Sequence, residues 1–254
     1  MVNEFSDRTF AALSDLKAAI EKSRRIVVLT GAGASVPSGI PDFRSAHGLY
    51  STPFGNYSAE TVISHNFFIS HPKEFYDFYK SKMIYENAKP NAMHLLLARL
   101  EKEGRIEGIV TQNIDGLHQA AGSEKVFELH GSIERNRCER CHKFFGLDYI
   151  VSHEGVPHCD ECGGIIKPEV VLYGENLDER VLRGAIRAIQ RADMLVVVGT
   201  SLVVYPAAGL VGYFTGDVTA VINKSSTYFD AQADILLNED CGKVAEWLDK
   251  NLNL

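Results

Sequence analysis

The sequence predicts an α/β protein: a doubly wound parallel sheet of the Rossmann-like kind, interrupted by a helical insertion and by a small cysteine-bearing domain. Three observations predict it. Short apolar runs rich in β-branched residues alternate with amphipathic helical stretches, the rhythm of buried parallel strands joined by crossovers. Glycines, hydroxyls and amides gather directly after those runs, where an open α/β sheet binds its ligands. Two Cys-x-x-Cys pairs, Cys138/Cys141 and Cys159/Cys162, break the rhythm with seventeen residues between them.

Taken in order, Ser6 or Asp7 caps a helix with Phe10, Leu13, Leu16 and Ile20 at helical spacing, ending near Lys22. Ile26-Val27-Val28-Leu29 is a buried strand, and Gly31-Ala32-Gly33-Ala34-Ser35 follows it, leading to Pro41-Asp42-Phe43-Arg44. Gly31 and Gly33 admit backbone amides close to a phosphate. The place of a dinucleotide fingerprint's third glycine is Val36, and 47–53 offers neither a second strand nor the acid that holds a dehydrogenase's ribose. A dinucleotide here binds differently from one in a dehydrogenase. Residues 61–85 carry aromatics in clusters broken by His71-Pro72, which predicts short helices in a lid-like insertion.

Asn91 to Lys102 is an amphipathic helix closed by Gly104, and Ile106 to Thr111 is a strand running into Gln112-Asn113-Ile114-Asp115. Val126 to Leu129 is a short strand ended by His130-Gly131. A histidine there has the proton affinity of a general base near neutrality. Leu177-Asp178 starts a helix through Ala192, and Asp193 to Gly199 is a buried strand continuing into Thr200-Ser201. Val218 to Ile222 is another, finishing at Asn223-Lys224, and Lys243 to Leu252 is the closing helix with Trp247 and Leu248 inward.

The cysteine spacing predicts a structural zinc ribbon, since four thiolates fill a tetrahedral sphere and leave no place for a reacting water. The expected division is a Rossmann-like domain from residues 1–44, 90–132 and 168–254, a helical insertion at 45–89 and a zinc module at 133–167. With 33 acidic against 26 basic residues the net charge is -7, and no dense basic cluster is present, so nucleic acid is not an expected ligand. Residues 1–10 are polar and no apolar stretch reaches membrane-spanning length. A cytoplasmic monomer with no membrane partner is expected.

The glycine loop, Pro41-Asp42-Phe43-Arg44, Thr111-Gln112-Asn113-Ile114-Asp115, His130-Gly131, the paired cysteines and Gly199-Thr200-Ser201 stand in the order seen in sirtuins. The chain resembles an NAD-dependent protein deacetylase of that family over nearly its whole length, with the single-domain bacterial and archaeal members most similar. The resemblance implies that nicotinamide is cleaved from NAD as the acetyl oxygen of a substrate lysine attacks the ribose carbon, and that water then releases O-acetyl-ADP-ribose. It implies catalytic roles for His130, as general base, and for Asn113 and Asp115. It implies that Gly31, Ala32 and the amides around Gly33 meet the diphosphate, that Phe43 shields the sugar carbon, and that Arg44 pairs with phosphate. Gln112, Asn113 and Asp115 would hold the nicotinamide ribose and carboxamide beside Ile114. Ser201 and Asn223 would hold the adenine ribose, Gly199 and Thr200 would join the cofactor contacts, and Lys224 and Cys241 would border the adenine.

For the acetylated lysine of a protein or peptide, the resemblance implies backbone pairing along Val171, Leu172, Tyr173 and Gly174, facing Leu202 to Tyr205. Sirtuins that prefer succinyl or malonyl lysine carry Tyr-x-x-Arg in the insertion. The matching stretch, Tyr76-Asp77-Phe78-Tyr79, keeps the tyrosine and lacks the arginine, which implies a pocket for acetyl or short neutral acyl groups with Tyr76 in its wall. Three other functions share part of this pattern. A dehydrogenase needs the missing glycine and acid, a zinc-ribbon recognition module leaves the polar strand ends unexplained, and a mono-ADP-ribosyltransferase breaks the same NAD bond for a different acceptor.

Overall fold

The computed structural model describes residues 5–46, 48–51 and 53–253. Helix α1 (Asp7–Lys22) starts at Ser6, whose side chain caps Thr9 N, and buries Leu13, Leu16 and Ile20. Strand β1 (Ile26–Thr30) is buried throughout. Gly48 to Ser51 contribute one short turn, so no second strand follows the glycine loop there; His47 and Thr52 of that stretch lie outside the described residues.

The insertion folds into α2 (Ala59–Val62), α3 (His65–Ser70) and α4 (Pro72–Lys82), with Pro72 in the first turn of α4, where its missing N–H costs nothing. Asn91 and His94 form a capping box that opens α5 (Ala92–Lys102), which leads to β2 (Ile106–Thr111), α6 (Leu117–Ala120) and β3 (Val126–Glu128). The zinc segment is more structured than its sequence suggested: β4 (Gly131–Cys138), β5 (Phe144–Phe145), α7 (Leu147–Ser152) and β6 (Ile166–Val170). Alternation is weak here because Arg, Glu and Asn punctuate β4. Asp178 caps α8 (Glu179–Arg191), and β7 (Met194–Val198), β8 (Val218–Ile222), β9 (Ile235–Leu237) and α9 (Cys241–Asn251) complete the chain. Strand β9 was not legible, and α9 starts two residues before Lys243 because Asp240 caps it. Leu248 is buried, whereas Trp247 is half-buried edge-on against Phe10.

The six-stranded parallel sheet has the order β3-β2-β1-β7-β8-β9. Helices α1, α5 and α9 cover one face with Leu16, Leu97 and Val244, and α8 covers the other with Ala185 and Ile189. Thr30 stands level with Thr111 and Val198, and Val198 with Ile222, so four strands end on one rim. Strand order reverses between β1 and β7. A crevice at that reversal is the binding place of this architecture.

The second sheet, antiparallel β5-β4-β6, carries the cysteines. It does not stand apart from the insertion. One apolar cluster joins Phe68, Phe75, Tyr76 and Tyr79 to Phe145, Ile150 and Ile166. Gly131, at φ +74, lets β4 meet β6 so closely that a Cβ would lie 1.7 Å from the Glu169 carbonyl.

Candidate active site

The rim is closed at its centre by backbone touching backbone. A Cβ on Gly33 would lie 2.7 Å from Gly199 Cα, and Gly199 itself holds φ +60. The Gly33 amide donates to Gly199 O at 2.7 Å, and those of Gly31, Ala34 and Ser35 donate to Val198, Gly31 and Ala32 carbonyls. This corrects the expectation that amides around Gly33 face a phosphate: these are already paired. The N–H of Ala32, next to Gly33, has no partner among the described residues and is left for an anion.

Beside this junction, Ser35 ties together two side chains of the β2 loop. Its hydroxyl donates to Asp115 Oδ2 at 2.6 Å and accepts from Asn113 Nδ2 at 3.0 Å. Asp115 Oδ1 also accepts from Leu117 N at 2.9 Å, opening α6. Gln112 Nε2 donates to Thr200 Oγ1 at 3.0 Å, linking the ends of β2 and β7. No spacing in the sequence signals this role of Ser35, because its partners lie about eighty residues away.

His130 closes the cleft from the end of β3. Its Nδ1 lies 3.0 Å from the Gln112 carbonyl, and a carbonyl only accepts, so the proton sits on Nδ1 and Nε2 presents a bare lone pair. Burial lowers its proton affinity below the ordinary histidine value, against the raising effect of that carbonyl. The ring is neutral and oriented, the state a general base needs.

The cleft, of about 470 Å³, is lined by Gly31, Ala32, Gly33, Phe43, Arg44 and Ser35 from the first loop, and by Gln112 to Asp115 and His130. Its far walls are Val171 to Gly174, Gly199 to Ser201, Val204, Tyr205 and Asn223. Phe43 packs edge-on against Tyr50, with the Arg44 guanidinium 5.3 Å from the Tyr50 ring centre. The Tyr50 and Tyr173 hydroxyls meet at 2.8 Å, a bridge between the first loop and the 171–174 segment that the sequence did not reveal. Along 171–174 much of the backbone is already paired: Val171 N to His130 O, Leu172 N to the Glu175 carboxylate, and Tyr173 N and O to the insertion. Val171 O and the Gly174 backbone remain without partners among the described residues.

Three expected contacts fall outside the cleft. Tyr76 is fully buried and does not line the cleft; its hydroxyl bonds the Ile166 carbonyl of the zinc module. Tyr79 is equally buried beside it, and Lys80 reaches the His153 and Gly155 carbonyls. The insertion instead gives the cleft Ile63, Lys82, Met83 and Tyr85. Cys241 lies behind the glycine loop, its buried thiol 3.5 Å from Gly33 O, with burial pushing its proton affinity up to about 12. Lys224 is drawn away by Asp240, 2.8 Å from its amine.

Cys138, Cys141, Cys159 and Cys162 come together with all four Sγ atoms within 4.8 Å of one another. The separations of 3.3 Å (Cys138 to Cys162) and 3.6 Å (Cys141 to Cys159) are far beyond a disulfide bond of about 2.05 Å. Thiolates about 2.3 Å from a central zinc fit this spread. The module is a structural metal site, consistent with zinc, and lies outside the residues that line the cleft.

Fold and site together define an α/β protein with a dinucleotide-type cleft at its switch point and an attached four-cysteine module. The Sir2 family model matches residues 31–206. An NAD-dependent protein deacetylase of Clostridium perfringens is 55% identical over 91% of this chain and 96% of its own length. A solved Sir2 with deacetylated p53 peptide and 3'-O-acetyl-ADP-ribose superposes with a TM-score of 0.86 at 42% identity, covering 94% of this chain and 97% of that one. Another, of Sir2 with p53 peptide and NAD+, gives 0.83 at 43% with the same coverage. The chain belongs to the Sir2 family.

Proposed function

We propose that this chain is an NAD-dependent protein-lysine deacetylase in which His130 is the general base. The observation that carries this reading is the bare Nε2 of His130, aimed by the Gln112 carbonyl into a cleft shared with Asn113 and Asp115. The relatives named as deacetylases, and the solved Sir2 structures holding NAD+ or acetyl-ADP-ribose beside a peptide, support it.

NAD supplies the ribose carbon that loses nicotinamide and takes the acyl oxygen. The rest is done by the chain. Ala32 N–H and the Arg44 guanidinium offer positive groups to the diphosphate. Asn113, fixed through Ser35, and Gln112, fixed through Thr200, present amides to the nicotinamide half, with Ile114 beside them. Asp115 spends one carboxylate oxygen on Ser35 and the other on α6, so its first task is to hold that loop. His130 Nε2 takes the proton of a ribose hydroxyl, which raises that oxygen's nucleophilicity. Phe43 and Tyr50 cover the reacting carbon against water. Thr200, Ser201 and Asn223 stand at the adenosine end. The substrate backbone pairs with Val171 O and Gly174, and the acyl group preferred is acetyl or another short neutral one. The partner is an acetylated protein or peptide, met by a monomer in the cytoplasm; among the described residues no helix is long and apolar enough to cross a membrane.

The test is to incubate the protein with NAD and an acetyl-lysine peptide and weigh all products. Nicotinamide, deacetylated peptide and O-acetyl-ADP-ribose in equal amounts are expected. A peptide that keeps its acetyl group and gains ADP-ribose would make the chain a mono-ADP-ribosyltransferase instead.

A further inference from the structure

Beneath the catalytic rim lie two fully buried histidines to which the proposed chemistry assigns no role. His94, on α5, and His118, on α6, have relative exposures of 0% and 1%. Their ring centres are 4.7 Å apart with planes at 59°. His94 Nε2 and His118 Nδ1 each lack a hydrogen-bond partner, although buried polar atoms rarely remain unpaired.

The partners of the other two ring nitrogens fix both tautomers. The amide of Asn91 points at His94 Nδ1 from 3.3 Å, so that nitrogen accepts and the proton is on Nε2. The Thr30 hydroxyl, which has a single hydrogen, donates it to Thr111 Oγ1 at 2.9 Å. The contact of 3.0 Å between Thr30 Oγ1 and His118 Nε2 therefore requires a proton on that nitrogen, which leaves Nδ1 bare. The two unpaired atoms of these adjacent rings are thus one donor and one acceptor.

We propose that the two neutral histidines, packed ring against ring and each held at its other nitrogen, close a buried chain of contacts that positions the catalytic loop. The chain begins at the glycine loop, where Asn91 Nδ2 donates to Ala34 O and Ser38 Oγ, both at 2.9 Å. It passes through His94, His118, Thr30 and Thr111, and ends at the Asn113 amide, which donates to Thr111 Oγ1 at 3.0 Å. It therefore ties the two loops that Ser35 also joins from above. Neither ring lines the cleft. They are positioning residues, and their neutrality follows from depth: burial holds both below the usual histidine range, His118 near 3.

The kinetic part of this inference rests on the deacetylase reading, while its spectroscopic part does not. In the wild-type chain, long-range ¹H–¹⁵N correlation of labelled histidines should show both rings neutral with the proton on Nε2. A proton on Nδ1 of either ring, or a charged ring at pH 7, would overturn the chain. In steady-state assays His118→Leu should lower kcat by about tenfold or more, as expected for misplaced reacting groups, with the peptide KM within about twofold. His118→Gln, which returns an N–H donor to Thr30, should recover most of that loss. Equal kcat in wild type and His118→Leu, or no recovery in His118→Gln, overturns the proposal. Should the leucine variant misfold, the wild-type tautomers still decide. A wild-type protein without deacetylase activity but with both Nε2–H tautomers would sink the functional reading and leave the buried chain standing.

Discussion

Burial lowers the proton affinity of His130 and the bond to Gln112 O raises it, with burial dominating. A base must be deprotonated to work. Its working form therefore persists to pH values below the ordinary histidine pKa of about 6.5. We expect the acid limb of kcat/KM against pH to fall below about 6.5, and a midpoint above 7 would contradict the environment described. His130→Ala should cost on the order of 10²–10⁴ in kcat, because a general base acts in the transition state. NAD binding should stay within a few fold, measured by calorimetry. His118 makes a separate, structural prediction. Its folded pKa, near 3, lies below its unfolded value of about 6.5, so between these the unfolded chain binds the extra proton. Its contribution to stability is complete above about pH 6.5 and is lost as pH falls toward 3, at up to about 1.4 kcal/mol per pH unit. Denaturant midpoints measured from pH 7 to 4 should fall less steeply in His118→Gln. Parallel pH slopes in the two proteins would exclude this source of acid lability.

Helix α4 shows how an element's facing decides the meaning of its residues. The tyrosine spacing read from the sequence implied a wall of the acyl pocket, and arginine at 79 implied a switch toward acidic acyl groups. Tyr76 and Tyr79 are instead fully buried side by side, with the Tyr76 hydroxyl on the Ile166 carbonyl of β6. Tyr79→Arg would place an unpaired charge in that core at a cost of about 3–5 kcal/mol. Thermal unfolding should show the loss, and the ratio of succinyl to acetyl turnover should not rise. If the variant is as stable as wild type and turns over succinyl-lysine better, α4 faces the cleft after all. On the deacetylase reading, we expect any acyl selectivity from this insertion at the end of α4 and the turn after it, where Lys82, Met83 and Tyr85 reach the cleft.

At the scale of the whole molecule, a zinc held by the four cysteines is expected to stabilise more than its own module. Cys138, Cys159 and Cys162 belong to the same apolar cluster as the helical insertion. Structural zinc contributes roughly 10 kcal/mol or more to folding in small modules. Metal analysis should find one zinc per chain. Chelation should loosen both segments together, read as faster amide exchange in α3 and α4 as well as in β4 and β6. The six-stranded sheet has its own two cores and should exchange last. Unchanged exchange in α3 and α4 after verified zinc loss would show that the insertion holds itself.

The sequence by itself determined the parallel strands β1, β2, β7 and β8, the helices between them, the polar clusters at the strand ends and the four metal ligands. Each of these rests on local information: apolar periodicity, a capping residue, or a ligand spacing within one segment. Strands β4, β6 and β9 were not legible, because charged residues interrupt the first two and three residues are too few to show a period. Only the tertiary structure decided that Ser35 meets Asn113 and Asp115, that Tyr76 does not line the cleft, that Cys241 stands behind Gly33, and that His94 meets His118. Those contacts join residues far apart in the chain and depend on strand order and helix rotation. Both are set by how the layers pack, which no single segment specifies.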